Sequence, residues 1–335
     1  MSRRRSPKKD SAQQIPLLSE PPSPKILAVA SGKGGVGKSF FSASLAWALA
    51  DTGLRVIAVD ADLGGPNLHT CLGVRPPARG GLSALESGRP VEEVLLATPH
   101  KRLQLVSSSA DPLAVGSGRT GNFFRAISRL LATGTDLLVL DLGAGTSYAT
   151  VDLFLLAQRG IIVSTAEPTA MENAYRFLKT AFFRFVSLRA PTDRLRQLVN
   201  EALQVDDSGS HSSSPAAFLA RLSERDAGLA RDVEKAIAER EVLFVANQVR
   251  ASREQELAAA MALAARKVFA LPCAPLGSVP YDEAVGRSLR ERRPFLEAHP
   301  EAPAAKAIRA LAVRLSSTER VHFAQGLSVP GGAIS

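Results

Sequence analysis

One eight-residue stretch constrains the fold of this chain more than any other: "GKGGVGKS", Gly32 to Ser39. It satisfies the pattern G-x-x-x-x-G-K-[ST], a loop whose glycines let the backbone curl until several N–H groups face a phosphate. The pattern carries that meaning only between a strand and a helix. Both flanks comply. "KILAVAS" is a short apolar run fit for a buried strand, and Lys38 to Ala50 has a helical pattern. A helix starting at Lys38 adds a field that favours negative charge. Gly32, Lys33, Gly34, Gly35, Val36, Gly37, Lys38, Ser39 and Phe40 are the expected nucleotide-binding residues. Lys38 is expected to reach the β- and γ-phosphates and Ser39 to ligate Mg²⁺.

The rest of the chain repeats the strand–helix alternation. "LRVIAVD", "RLQLVSS", "DLLVLD", "GIIVST" and "VLFVANQV" read as further apolar strands, with helical text such as "TGNFFRAISRLLA" and "TAMENAYRFLKTAFFRF" between them. Short apolar strands alternating with helices predict an α/β fold with a doubly wound, mainly parallel sheet. Residues 189–240 break the rhythm and read as a helical insertion, "TDRLRQLVNEAL", then a loop "DDSGSHSSSP", then "AAFLARLSERDAGLARDVEKAIAER". Residues 1–24 read as a basic disordered tail broken by Pro16, Pro21, Pro22 and Pro24, 25–316 as one phosphate-loop domain holding the insertion, and 317–335 as a flexible C-terminal tail.

Carboxylates at the C-terminal ends of strands face the ligand crevice of such a sheet. Asp60 and Asp62 follow the second strand and, on a regular strand, share a face. Asp141 ends the strand "DLLVLD", and Gly143 and Gly145 follow it in a segment able to change shape. Asn247 lies near the end of a late strand. Its amide is able to donate and accept on a purine edge, but taken alone an asparagine there reads first as a strand-end turn former. The loop also holds a second lysine, Lys33, at its start, where the side chain points away from the phosphates of its own site. From the residues alone it is either a solvated surface lysine or a cation for the nucleotide of another subunit.

"KGGVGKS" resembles the deviant Walker A motif of the MinD/ParA ATPases, and the resemblance runs from about Lys25 to Leu315 apart from the insertion. It implies an ATPase with ATP and Mg²⁺ as cofactors and slow basal turnover. It also implies an ATP-bound homodimer in which Lys33 crosses the interface while Lys38 serves its own site. Asp62 is implied to position the attacking water, with Asp60 and Asp141 supporting Mg²⁺. Asn247 and, in "SVPYDEAV", Pro280 are implied to flank the base. "DLGAGTS", "STAEPTAMENAYRFLK" and "SVPYDEAVGRSLRERRPF" look most like the FlhG/FleN branch of flagellar-number regulators. The implied role is a switch in spatial organisation or regulation of a cellular structure. The alternative is a ParA-like ATPase that binds DNA non-specifically. Departures include "GGPNLHT" after Asp62 where the family has "GLANLD".

Composition narrows the setting. Cys71 and Cys273 stand far apart without CxxC spacing, which argues against an iron–sulfur cluster and for a reducing compartment. The net charge of +9 permits contact with nucleic acid or an anionic membrane without demanding it. "PAAKAIRALAVRLSS" puts Ile308, Leu311, Ala312 and Leu315 on one stripe, which suits a final helix packed on the sheet better than a membrane-surface helix. The expectation is a cytoplasmic protein that docks a protein partner through the insertion. Peripheral attachment at the inner face of the plasma membrane is the alternative location.

Overall fold

The apolar runs become the strands of one sheet. The computed structural model describes residues 23–62, 64–75, 81–108, 120–189, 195, 197–199 and 214–325. The basic segment 1–22, the predicted loop "DDSGSHSSSP" up to residue 213, most of "TDRLRQLVNEAL", and 326–335 lie outside the described residues. The strands are β1 (Ser23–Ala30), β2 (Val56–Ala61), β3 (Leu96–Ala97), β4 (Leu103–Val106), β5 (Leu137–Leu142), β6 (Ala157–Ser164), β7 (Glu241–Val249) and β8 (Cys273–Pro280). They pair in the order β3-β4-β2-β5-β1-β6-β7-β8. Every pairing is parallel except the β3–β4 edge. β2 and β5 are buried along their whole length, which is why their sequences are continuous apolar runs rather than alternating ones.

Helices cover both faces. On one, α1 (Lys38–Asp51) is apolar nearly all round because it lies between the sheet and the last helix. Phe41, Leu45 and Leu49 share a core there with Leu27, Ala58, Val139 and Ile161 of the strands. On the other face, α4 (Thr120–Leu131) and α6 (Pro168–Arg189) build a second core with Phe124, Phe177 and Phe183. Among the described residues of the insertion, α7 (Pro215–Arg225) and α8 (Ala227–Ala238) are helices, separated where the Asp226 side chain accepts from the Leu229 N–H. Phe218 of α7 packs edge-on against Phe182 and Phe183 of α6, so this part of the insertion joins the core.

Two strands escape the sequence reading. β3 spans two residues, too short for a periodic signal. β8 contains Pro275, Gly277 and Pro280, which are tolerated because it is the edge strand. The final helix, α12 (Pro303–Gln325), continues past residue 316, where the sequence reading places a flexible tail. After Pro303 the sequence has neither glycine nor proline until Gly326, so nothing local stops the helix. Ile308, Leu311, Ala312 and Leu315 are buried in the core that α12 shares with α1 and β8. Among the described residues no helix is long and apolar enough to cross a membrane.

Candidate functional site

The loop after β1 has the conformation its glycines predict. Gly35 and Gly37 have φ of 85° and 81°, left-handed values that favour glycine. Gly32 serves a different purpose: a Cβ there would collide with the backbone of Asn173 and Ala174, so α6 touches the loop directly. Lys38 and Ser39 then open α1, with Lys38 buried and Ser39 half-buried.

Three carboxylates converge beneath the loop. Lys38 Nζ donates to Asp141 Oδ1 at 2.8 Å and stands 4.0 Å from Asp62 Oδ2. Ser42, one turn further along α1, donates to the same Asp141 Oδ1 at 2.8 Å. Asp141 Oδ2 is buried and has no hydrogen-bond partner among the described residues. Burying a carboxylate oxygen unsatisfied is costly, and a hydrated cation is one group that satisfies it. The donor set of Ser39 and Asp141 is hard oxygen, which suits Mg²⁺.

Asp60 and Asp62 do not share a face. β2 ends at Ala61, so Asp62 leaves the strand and its Oδ1 accepts from the N–H groups of Gly64 and Gly65, each at 3.1 Å. Asp60 points inward, opposite Asp141 in the β2–β5 register. Its two oxygens accept from Asp62 N–H at 3.3 Å and Leu68 N–H at 3.0 Å. The second bond caps α2 (Leu68–Cys71). Burial, and next the charge of Asp141, push the Asp60 pKa up to about 7, against the pull of those N–H groups and of Lys38.

Lys33 lies on the far side of the loop. Its Nζ donates to Glu167 Oε2 at 2.7 Å and to Thr169 Oγ1 at 3.3 Å, both near the start of α6. The ion pair is open to water, with 42% of the lysine and 61% of the glutamate side chain exposed. Such pairs contribute about 0–1 kcal/mol, so Lys33 is released cheaply.

Past Gly37 and Phe40 opens a cleft of about 500 Å³, lined also by Asn247, Gln248, Pro280 and Tyr281. Arg250 stacks its guanidinium 3.7 Å from the Tyr281 ring centre. Asn247 Nδ2 donates to Val36 O at 2.8 Å, and Gln248 Nε2 to Gly35 O at 3.3 Å. The fold thus gathers Gly32 to Phe40 with Asp60, Asp62 and Asp141 on one side of the loop and Asn247 and Pro280 on the other. Sequence reading missed Ser42, Glu167, Thr169 and Gln248. Only Ser42 had a signal, its spacing of one helical turn from Lys38.

Comparison with known proteins agrees with this fold. The family model described as ParA, NUBPL iron-transfer P-loop NTPase matches residues 23–188. The antiactivator FleN of Pseudomonas aeruginosa is 26% identical over 296 residues, covering 88% of this chain and 86% of that protein. The flagellum site-determining protein YlxH of Helicobacter pylori is 35% identical over 156 residues, 46% of this chain and 53% of YlxH. The septum site-determining protein MinD of Pyrococcus horikoshii, solved with Mg-ADP, superposes with a TM-score of 0.57 at 20% identity. That alignment covers 89% of this chain and 98% of the MinD chain.

Proposed function

Because residues 23–188 form a ParA-family P-loop NTPase domain, we propose that this chain is an Mg²⁺-dependent ATPase working as a dimerising switch. Its setting is the spatial organisation of a cellular structure, with flagellar number or cell positioning as the process. The observation that carries the reading is the pair of lysines with separate duties: Lys38 on the carboxylates beneath the loop, Lys33 outside on a weak, exposed ion pair. YlxH, named as a flagellum site-determining protein, supports the process, and FleN, named as an antiactivator, supports a regulatory role. Residues 25–316 act as one unit, with 189–240 inserted and the last helix running on past it.

In this reading ATP takes the Lys38 ammonium from Asp141 onto its phosphates. Ser39 and Asp141 would hold Mg²⁺, with Asp60 behind them, and the bound cation would supply charge to neutralise the phosphates. Asp62 orients the attacking water, and the closeness of its carboxylate to Lys38 supports that role. Asn247 and Pro280 flank the base in the neighbouring cleft. In the dimer Lys33 leaves Glu167 for the partner's phosphates. Cys71 and Cys273 are buried in cores on opposite faces of the sheet, their thiols each pushed up to about 12 mainly by burial. That placement weighs against a shared cluster and against an iron-transfer role for this pair. The setting is cytoplasmic, with a protein partner docking on the ATP-bound dimer.

Sedimentation with ATP tests the switch. The parent and Asp62→Ala proteins should dimerise, the latter with slowed hydrolysis, while Lys33→Ala should bind ATP and stay monomeric. Normal dimerisation of Lys33→Ala would remove the cross-subunit role. ATP-dependent retention on duplex DNA that weakens steeply with salt would move the reading to a DNA-partitioning ATPase. Flotation with anionic liposomes would move it to a membrane cycle.

A further inference from the structure

On a regular strand successive side chains point to opposite faces, so Asn247 and Gln248 of β7 should not reach the same loop. They do. Between Ala246↔Ser278 and Val249↔Pro280, β7 advances three residues while β8 advances two, so β7 is bulged there. Gln248 has φ of 58°, one of three non-glycine residues with positive φ among the described residues. The extra residue and the left-handed turn together swing the second amide round. Asn247 then holds the Val36 carbonyl and Gln248 the Gly35 carbonyl, on adjacent peptide units of the phosphate loop. Gln248 also lines the cleft beside the loop.

A glutamine kept in a backbone conformation that L residues avoid carries a local cost, and the contact it makes is what that cost secures. We infer that Gln248 is a positioning residue for nucleotide binding: by anchoring the Gly35 carbonyl it fixes the peptide planes of the loop so that their N–H groups face the phosphates. The inference rests on the ATP-binding reading above. It adds a residue that acts on the phosphates through the loop and touches no nucleotide atom itself. The bulge in β7 is thereby part of the nucleotide site.

Two substitutions separate this role from general packing. Gln248→Met keeps the length of the side chain and removes the donor. Gln248→Gly removes the donor and relieves the backbone strain. With the full chain, calorimetry with ADP and Mg²⁺ should show affinity falling roughly threefold to tenfold in both, the worth of one hydrogen bond. Gln248→Gly should melt no lower than the parent, so that its lost affinity is not lost stability. The KM for ATP should rise by the same factor while kcat falls by less, and phosphorus NMR should show a shifted β-phosphate resonance of bound ADP in both variants. Parental ADP affinity in Gln248→Gly overturns the inference. So does weakened binding with an unmoved β-phosphate resonance, which would place Gln248 on the base instead. Failure of the parent itself to bind ADP would overturn the ATP-binding reading first, and the role of Gln248 with it.

Discussion

Asp60→Asn should change the sign of its effect on stability with pH. In the nucleotide-free protein Asp60 is fully buried opposite Asp141, and burial, with that second charge, raises its pKa from 3.8 to about 7. The folded chain therefore binds this proton more tightly than the unfolded chain does. Its contribution is fully present below about pH 4 and is lost as pH rises through about 7. A raise of about three units corresponds to about 4 kcal/mol. Asparagine has no such titration, but one of its two termini is an NH₂ group. It therefore loses the acceptor for either Asp62 N–H or Leu68 N–H, a cost of about 1–3 kcal/mol. At about pH 4, where the folded carboxyl is protonated and the unfolded one only beginning to ionise, the variant should be less stable by about 0.5–2.5 kcal/mol. At about pH 8 relief from the buried charge should cancel that deficit or exceed it by about 1–3 kcal/mol. Urea denaturation of both proteins without nucleotide, at the two pH values, measures the difference. Titrations common to both cancel. Parallel stability–pH curves would refute the reasoning.

Other substitutions test other parts of the site. Lys38→Ala should bind Mg–ATP more weakly by about 1.5–3 kcal/mol, the worth of a charge-assisted contact, as read by calorimetry. Arg184 of α6 donates to both oxygens of Asp152, which is fully buried on α5 (Tyr148–Phe154). Arg184→Ala should therefore lower the unfolding free energy by about 3 kcal/mol in denaturant titration. Arg184→Lys should recover only part of it, having no fork to match the carboxylate. Gly32→Ala should lower both the melting temperature and ADP affinity, because the new methyl has to displace the α6 backbone at Asn173 and Ala174. A variant that melts and binds like the parent would show that the contact is not needed.

The sheet was legible where strands are buried on both faces. "VIAVDA" and "LLVLDL" announce themselves because nothing polar interrupts them before the carboxylate at the end. β8 was not legible, since an edge position relaxes the rule against proline in a strand. The course of the phosphate loop, from β1 through two left-handed glycines into α1, could be read because its glycines are needed in a fixed order. Asp60 could be placed at the site but not oriented: whether it faces Mg²⁺ or caps α2 depends on where β2 ends, and Asp62 is the first residue off that strand. The loop's partners Glu167 and Gln248 are distant in sequence and have no motif. Gln248 reaches Gly35 only through a bulge, and an extra residue in a strand leaves no trace in composition.

The place of β1 in the sheet has a consequence for synthesis. Of the described strands, the first in sequence lies near the middle, paired with β5 and β6; Ile26 has Leu138 as its partner and Ala28 has Gly160. On a ribosome adding about 5–20 residues per second, "KILAVA" waits on the order of ten seconds before its neighbours exist. During that wait an apolar strand has two open edges, the condition under which chains pair with one another instead of with themselves. Such non-local closure also makes folding slow. Nascent chains arrested before Leu137 should therefore be bound by holdase chaperones, and chains arrested after Ser164 should release them.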